Sequence, residues 1–202
     1  MKLYYSPGAC SLASHVALFA SGVKFEVEQV DTKAKKTKSG KDYTKINAKG
    51  YVPCLETNEG QILTEGAAIL QYIADQAPEK KLLPKNGTWE RYKAQEWLNF
   101  IATEIHKSYS PLWSKDLPEA TKKAAHERLT NRLEWVNGQI KPGQFLMGSQ
   151  FSVCDAYMWT VLNWSRAVKF DLTKWPNLMG YVEKVSTTPA VQSALKAEGL
   201  TK

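Results

Sequence analysis

The chain has 202 residues, of which 43% are hydrophobic and 23% charged, and its 27 basic and 20 acidic side chains give a formal net charge of +7. This apolar fraction can offset the entropy of ordering a globular chain, which excludes a disordered protein. The three cysteines do not suggest a secreted disulfide framework, and no apolar run is long enough for a signal peptide or a membrane span. We therefore expect a cytoplasmic protein with no membrane partner. No aromatic ladder or zinc motif accompanies the lysines, which argues against nucleic-acid binding.

The first eighty residues alternate between the patterns of strand and helix. Four segments have strand composition and three have helical patterns: strands at Lys2–Tyr5, Lys24–Val30, Val52–Thr57 and Gln61–Leu63, and helices at Ser11–Ser21, within Lys41–Asn47 and from Thr64 onward. The order βαβ–α–ββα predicts an α/β thioredoxin-like N-terminal domain over residues 1–77.

The second half of the chain is helical in period. Prolines and charges break the pattern over residues 78–87, which we interpret as a linker between domains. Beyond it we predict an all-α C-terminal helical domain, residues 88–202, with helices at Thr88–Ser110, Pro118–Ile140, Ser152–Lys169, Trp175–Thr187 and Ala190–Ala197.

Cys10 lies where the first strand turns into the first helix. Unpaired backbone N–H groups at a helix start favour an anion, and thiols in such places ionise more readily than free cysteine. Cys54 and Cys154 are not at Cys-x-x-Cys spacing from it and are expected to pack as inert residues. A single-thiol or thiol-binding site is favoured over the alternative, a small buried hydrophobic residue. Tyr5 and Ser11 flank the turn with hydroxyls that could contact a sulfur or serve in packing and capping.

Two further segments of the first half could bind a peptide-like ligand. Pro53 begins a strand, and in a thioredoxin-like domain a cis proline there leaves the preceding backbone free to pair with a bound thiol peptide; an ordinary trans edge proline is the alternative. Glu65 and Gly66 open a helix, where N–H groups can hold a carboxylate while Glu65 pairs with an ammonium. An α-amino-acid group carries both charges. The alternative is ordinary capping, with Thr64 as N-cap and Glu65 complementing the helix dipole.

Asn99, Thr103 and His106 follow one another at helical spacing, nearly opposite an apolar stripe. Three uncharged hydrogen-bonding side chains are typical of the wall of a polar pocket, although a solvated helix face is the alternative. His106 could donate a hydrogen bond to sulfur. Ser152 and Asp155, by contrast, match a capping box ahead of an apolar helix, which indicates a folding element.

Lysines are concentrated in residues 33–38, with Lys41 and Lys45 following. A solvated basic loop is the plain interpretation. The alternative is that one or two of these lysines attract a small anionic substrate.

Together these motifs resemble the glutathione S-transferase family, and its bacterial beta class in particular. The resemblance runs from residue 1 to about residue 200 and rests on five motifs in register: Met1–Tyr5 with Pro7–Ser11, Val52–Pro53, Leu63–Gly66, Asn99-x-x-x-Thr103-x-x-His106 and Phe151–Tyr157. It implies a homodimer with a detoxification role that uses glutathione as co-substrate, needs no metal, and joins the glutathione thiol to a small apolar electrophile. A non-catalytic binding or regulatory protein of the same fold is the alternative.

The resemblance also implies a role for each matching residue. Cys10 lies beside the glutathione sulfur, and the other roles follow along the tripeptide: Lys35 at the glycyl carboxylate, the Val52 backbone at the cysteinyl unit, Glu65 and Gly66 at the γ-glutamyl end, Asn99 and Thr103 reaching in from the partner subunit, and His106 near the sulfur. Two mechanisms stay open. Either Cys10 and His106 assist formation of the thiolate, or Cys10 itself forms a mixed disulfide and supports thiol–disulfide exchange.

Overall fold

The structure is a computed structural model that describes residues 1–201. The chain divides into two compact units, and each is described by itself. One unit holds residues 1–83 together with the segment from Thr188, and the other holds Pro84–Thr187. No helix of the described residues is both long enough and apolar enough to cross a membrane.

The first unit is built on a mixed sheet of five strands. The strands are β1 (Lys2–Tyr5), β2 (Glu26–Asp31), β3 (Lys36–Thr37), β4 (Cys54–Glu56) and β5 (Ile62–Thr64), in the spatial order β3-β2-β1-β4-β5. Only β1 and β2 pair in parallel; the other neighbours are antiparallel. Leu3 sits at the centre, opposite Val27 on one side and Leu55 on the other, and is fully buried. The thioredoxin-like prediction is confirmed.

Two helices and a short turn complete the strand connections of this unit. They are α1 (Ser11–Ser21), a 3-10 turn at Tyr43–Lys45, and α2 (Gly66–Asp75). The sequence predicted a short helix within Lys41–Asn47, and only one 3-10 turn forms there. The side chain of Asp42 caps it by accepting from the backbone N–H of Thr44 at 3.0 Å.

The second unit is helical, as predicted. It contains α3 (Trp89–Phe100), a π-helical segment (Ile101–His106), α4 (Lys107–Trp113), α5 (Glu119–Gln139), α6 (Val153–Asn163) and α7 (Pro176–Ser186). The capping box at the start of α6 is confirmed, because the buried carboxylate of Asp155 accepts from the backbone N–H of Ser152 at 2.8 Å. The same carboxylate accepts from the backbone N–H of Leu146 and the hydroxyl of Tyr181, which satisfies a charge that burial would otherwise disfavour.

The last helix, α8 (Pro189–Ala197), packs on α1 and so belongs with the sheet. The sequence predicts this helix as part of the C-terminal domain, because it follows four other helical patterns. The order of the elements along the chain does not indicate that α8 packs in the first unit.

Candidate functional site

The turn between β1 and α1 presents Cys10 at the start of α1. The carbonyl of Ser6 accepts from the backbone N–H of Ala9 at 3.1 Å, and Gly8 has the positive φ of 70° that this turn requires. The hydroxyl of Ser11 bonds both backbone groups of Ser6, so it is used within the turn. The half-buried Cys10 thiol donates to the carbonyl of Val52, with Sγ and O 3.2 Å apart.

The Val52–Pro53 peptide bond is cis, which confirms the prediction. Two side chains hold the backbone just before it. The hydroxyl of Tyr43 and the side-chain amide of Asn47 both donate to the carbonyl of Tyr51, at 3.0 and 2.8 Å. Tyr43 and Asn47 are themselves buried, so the loop that carries Val52 is anchored from the core side.

Glu65 occupies the position before the first turn of α2, with a positive φ of 71°. Thr64 ends β5, so it is not the N-cap that the capping alternative required. The carboxylate of Glu65 accepts from Lys49 Nζ at 2.6 Å and from the hydroxyl of Tyr51 at 2.7 Å. The hydrogen bond to Glu65 raises the pKa of Lys49. A ligand ammonium at Glu65 would therefore share this carboxylate with Lys49 or displace it.

Lys35 also reaches the segment before Pro53. Its Nζ donates to the carbonyl of Gly50 at 2.7 Å, and its own backbone has a positive φ of 55°. Gly50 has a φ of 68°, and an added Cβ there would approach Lys35 Nζ to 3.3 Å. The contact therefore favours glycine at this position.

The four consecutive residues 49–52 contact three of the predicted site residues. Gly50 binds Lys35, Val52 binds Cys10, and Lys49 with Tyr51 binds Glu65. The structure thus brings Cys10, Lys35, Val52 and Glu65 to one segment, and Gly66 follows Glu65 as the first residue of α2. Sequence reasoning missed Lys49 and Tyr51, because their partner lies 14 to 16 residues away and no local pattern marks the pair.

The other three predicted residues, Asn99, Thr103 and His106, belong to the second unit. Asn99 is the second-last residue of α3, and Thr103 and His106 lie in the π-helical segment. Asn99 and Thr103 are exposed, and the Thr103 hydroxyl donates to the carbonyl of Asn99 at 3.0 Å. His106 is partly buried instead. The turn of a π-helix is wider than that of an α-helix, so the α-helical spacing on which the prediction of a common face rests does not apply from Ile101 to His106.

His106 has two aromatic neighbours within its unit. Its Nδ1 lies 2.8 Å from the hydroxyl of Tyr157, and its ring meets that of Trp164 edge-on at 4.9 Å between centroids. Burial, with a smaller contribution from the charge of Lys107, lowers the pKa of His106 to about 4. The imidazole is thus neutral near pH 7 and is suited to hydrogen bonding rather than to proton uptake. The sequence indicated only an apolar folding element for the helix that contains Tyr157, so this contact was missed.

The other two cysteines are buried, as expected for inert residues. Burial raises the pKa of Cys54 to about 11 and raises that of Cys154 further. The Cys154 thiol donates to the carbonyl of Ala94 at 3.4 Å. In residues 1–201 no three His, Cys, Asp or Glu side chains are grouped in a way that could hold a metal ion.

Comparison with protein-family models matches both halves of the chain. The model described as "Glutathione S-transferase, N-terminal domain" matches residues 1–75, and the corresponding C-terminal domain model matches residues 100–189. Among curated proteins, the glutathione S-transferase GstA of Escherichia coli O157:H7 is 44% identical over 200 residues, which cover 99% of this chain and 100% of the relative. Glutathione S-transferase GST-4.5 of Xanthomonas campestris is 33% identical over 207 residues, with 99% and 100% coverage.

Solved structures agree with this assignment. The ternary complex of BphK, a bacterial glutathione S-transferase, is 52% identical and has a TM-score of 0.97, covering 99% of this chain and 100% of that chain. The bacterial beta class glutathione S-transferase of Sphingomonas chungbukensis is 41% identical and has a TM-score of 0.95 with full coverage of both chains. The chain therefore belongs to the glutathione S-transferase family and, within it, to the bacterial beta class.

Proposed function

We propose that the first unit binds glutathione along residues 49–52, with its sulfur beside Cys10, and that the protein joins this sulfur to an apolar electrophile. The observation that carries the proposal is the contact of the Cys10 thiol with the Val52 carbonyl, 3.2 Å from Sγ to oxygen. This contact involves a half-buried thiol at the N-terminus of α1, where backbone N–H groups favour an anionic sulfur. A structure of a sphingomonad relative, 41% identical, is described as complexed with glutathione.

The charges of glutathione match the predicted residues one by one. The ammonium of Lys35 complements the glycyl carboxylate, and the backbone of Val52 pairs with the cysteinyl unit. The N–H of Gly66, at the start of α2, complements the γ-glutamyl carboxylate, while Glu65 holds the γ-glutamyl ammonium. The reaction is then attack by the glutathione thiolate on an electrophilic carbon: a C–S bond forms and the leaving group departs with its electron pair.

The second unit supplies the remaining roles. We assign His106 as a neutral hydrogen-bond donor to the sulfur, since its lowered pKa makes it a poor base near pH 7. Asn99 and Thr103 reach the partner subunit's glutathione in a homodimer. Exposed aromatic side chains on α3 and α5 support a partner surface on this unit: Trp89, Tyr92 and Trp135.

The cellular setting and the domain limits belong to the same proposal. Three free cysteines fit the cytoplasm, where thiols are kept reduced, and conjugation there serves detoxification. We retain residues 1–77 as the glutathione-binding domain, 78–87 as the linker and 88–202 as the helical domain that carries the electrophile site, with its last helix, α8, packed on α1 of the first unit.

The test is turnover of 1-chloro-2,4-dinitrobenzene with glutathione, for wild type and Cys10→Ala, alongside retention on immobilised glutathione. Turnover by the wild type supports the transferase. A Cys10→Ala variant that keeps the rate assigns the chemistry to the bound thiol alone. A variant that loses the rate but still binds glutathione makes Cys10 part of thiolate formation. If the wild type neither binds nor reacts, the non-catalytic alternative replaces the proposal.

Thiol–disulfide exchange is the second candidate, favoured by the partial exposure of Cys10, since the other two cysteines are buried. The Cys10 thiolate would attack oxidised glutathione, form a mixed disulfide, and release one glutathione thiolate. Incubation with oxidised glutathione followed by peptide mass mapping tests it. An adduct confined to the Cys10 peptide supports exchange, and an unmodified protein contradicts it.

A further inference from the structure

A segment of 20 residues carries a net charge that amounts to most of the net charge of the whole chain. Residues 31–50 contain seven lysines and two aspartates, a net charge of +5 out of the +7 of the whole chain. All seven lysine side chains are exposed. We call this segment the basic segment.

The acidic groups of this region are engaged by backbone N–H groups. Asp31 accepts from the N–H groups of Lys33 and Ala34, both at 2.9 Å, and Asp42 accepts from Thr44. Glu28 on β2 accepts from the N–H of Ser39 at 2.9 Å. Each carboxylate is therefore directed to its own turn rather than to a lysine.

Two of the seven lysines, Lys35 and Lys49, have the partners described above. The other five have no carboxylate at ion-pair distance among residues 1–201: Lys33, Lys36, Lys38, Lys41 and Lys45. Like charges held close together repel, and this repulsion is relieved when an anion binds between them.

The β2–β3 hairpin gathers three of these five ammonium groups. Lys36 and Lys38 project from the same face, because Thr37 between them points inward and is only 4% exposed. The backbone N–H of Lys38 bonds the carbonyl of Gln29 at 2.8 Å, which fixes the register, and Lys33 lies in the turn before β3. Lys33, Lys36 and Lys38 line one groove of about 610 Å³. This volume is in the range of small-molecule sites.

The groove borders the turn that carries Cys10. Ser6 lines it, and the carbonyl of Ser6 closes that turn by accepting from Ala9. Gln29 and Thr32 add neutral hydrogen-bonding groups to the lining, and Asp31 adds a carboxylate that is already bonded to backbone. The polar character of the groove and its three lysines do not suit an apolar ligand.

We propose that this groove, lined by Lys33, Lys36, Lys38, Ser6 and Gln29, binds a carboxylate carried by the otherwise apolar electrophile, so that the preferred electrophile is a small apolar group that bears one carboxylate. The inference rests on the proposed function and names its substrate class. A carboxylate held by the lysines leaves the rest of a small molecule beside the Cys10 turn. Lysine ammonium groups act as point charges, which suits a compact carboxylate. The named lining residues include no aromatic side chain on which a nucleotide base could stack.

The test compares two electrophiles with the same reacting carbon, 2-chloro-1,3-dinitrobenzene and 4-chloro-3,5-dinitrobenzoate, which differ only in the carboxylate. The groove variant is Lys33→Gln/Lys36→Gln/Lys38→Gln. The matched control, Lys85→Gln/Lys123→Gln/Lys141→Gln, removes the same charge from exposed positions elsewhere. We expect kcat/KM for the benzoate to fall about tenfold in the groove variant only, with turnover of the neutral compound and KM for glutathione within about twofold.

Equal loss with both electrophiles, or equal loss in both variants, would overturn the inference. A raised KM for glutathione with no discrimination between the electrophiles would also overturn it, because the lysines would then serve glutathione. Turnover of the neutral compound by the wild type tests the proposed function separately. Calorimetric titration of the benzoate into both variants gives a readout without catalysis: binding lost only in the groove variant supports the site, and binding absent from the wild type or unchanged in the groove variant overturns it.

Discussion

Glu198 and His15 form a buried pair, with Oε1 of the carboxylate 2.9 Å from Nδ1 of the imidazole. The second carboxylate oxygen, Oε2, accepts from the backbone N–H of Gly8, also at 2.9 Å. Gly8 belongs to the turn that presents Cys10. The side chain of Glu198 therefore connects the segment after α8 both to α1 and to the turn that precedes α1.

Replacing Glu198 by alanine should destabilise the first unit. The change removes a hydrogen bond from the N–H of Gly8 and takes the carboxylate away from the buried ring nitrogen of His15, and breaking a buried pair of this kind costs about 3 kcal/mol. Urea unfolding measures the loss. The control is Glu59→Ala, which removes an exposed carboxylate from the β4–β5 turn. Equal stability of the two variants would show that the buried pair contributes nothing.

Tyr157→Phe should lower kcat for conjugation while leaving KM for glutathione nearly unchanged. The hydroxyl of Tyr157 is hydrogen-bonded to Nδ1 of His106, so a ligand must bind the other ring nitrogen, Nε2. Without this hydroxyl, the hydrogen bond that orients the imidazole of His106 is lost. We expect a fall in kcat of about tenfold. The matched control is Tyr109→Phe, which removes a hydroxyl bonded to Ser165 in the same unit. A similar fall in both variants, or none in Tyr157→Phe, contradicts the assigned role of His106.

His106 should make the protein less stable in acid. In the folded state its pKa is lowered to about 4 from an ordinary value of 6.5. As pH falls below 6.5 the unfolded chain binds a proton that the folded chain does not, so the free energy of unfolding decreases until about pH 4. Urea unfolding at about pH 7 and about pH 5 measures this slope, the change in the free energy of unfolding with pH.

The same measurement on two variants isolates the contribution of His106. His106→Gln should be less sensitive to acid over this interval, whereas His126→Gln keeps His106 and should retain the wild-type slope. Equal slopes in the wild type and His106→Gln would contradict the lowered pKa.

The elements of the fold were predictable wherever a local pattern specifies them. The consecutive apolar and aromatic residues 3–5 of β1 and the glycine-containing turn before Cys10 correctly indicated the first strand and the first helix. The motifs around Pro53 and Glu65 pointed to the proposed ligand-binding segment, because a proline that begins a strand and the start of a helix are features that the sequence can mark.

What the sequence did not reveal are contacts between distant residues. Lys35 binds Gly50 across 15 positions, and Glu198 binds His15 across 183. Neither contact produces a periodic pattern in the sequence. The π-helical segment was missed for another reason: Thr103 and His106 were spaced on α-helical geometry, and a change of helical pitch is not marked by composition.

The central claim is that glutathione binds at the segment 49–52, with its ammonium at Glu65. Calorimetric titration of glutathione into wild type, Glu65→Gln and the exposed control Glu59→Gln tests it most directly, after thermal melts have confirmed that all three are folded. We predict saturable binding of one glutathione per chain in the wild type and the control, and at least about tenfold weaker binding in Glu65→Gln, because a neutral amide cannot replace the charge-assisted bond. Equal affinity of all three proteins, or no binding to the wild type, would contradict the claim.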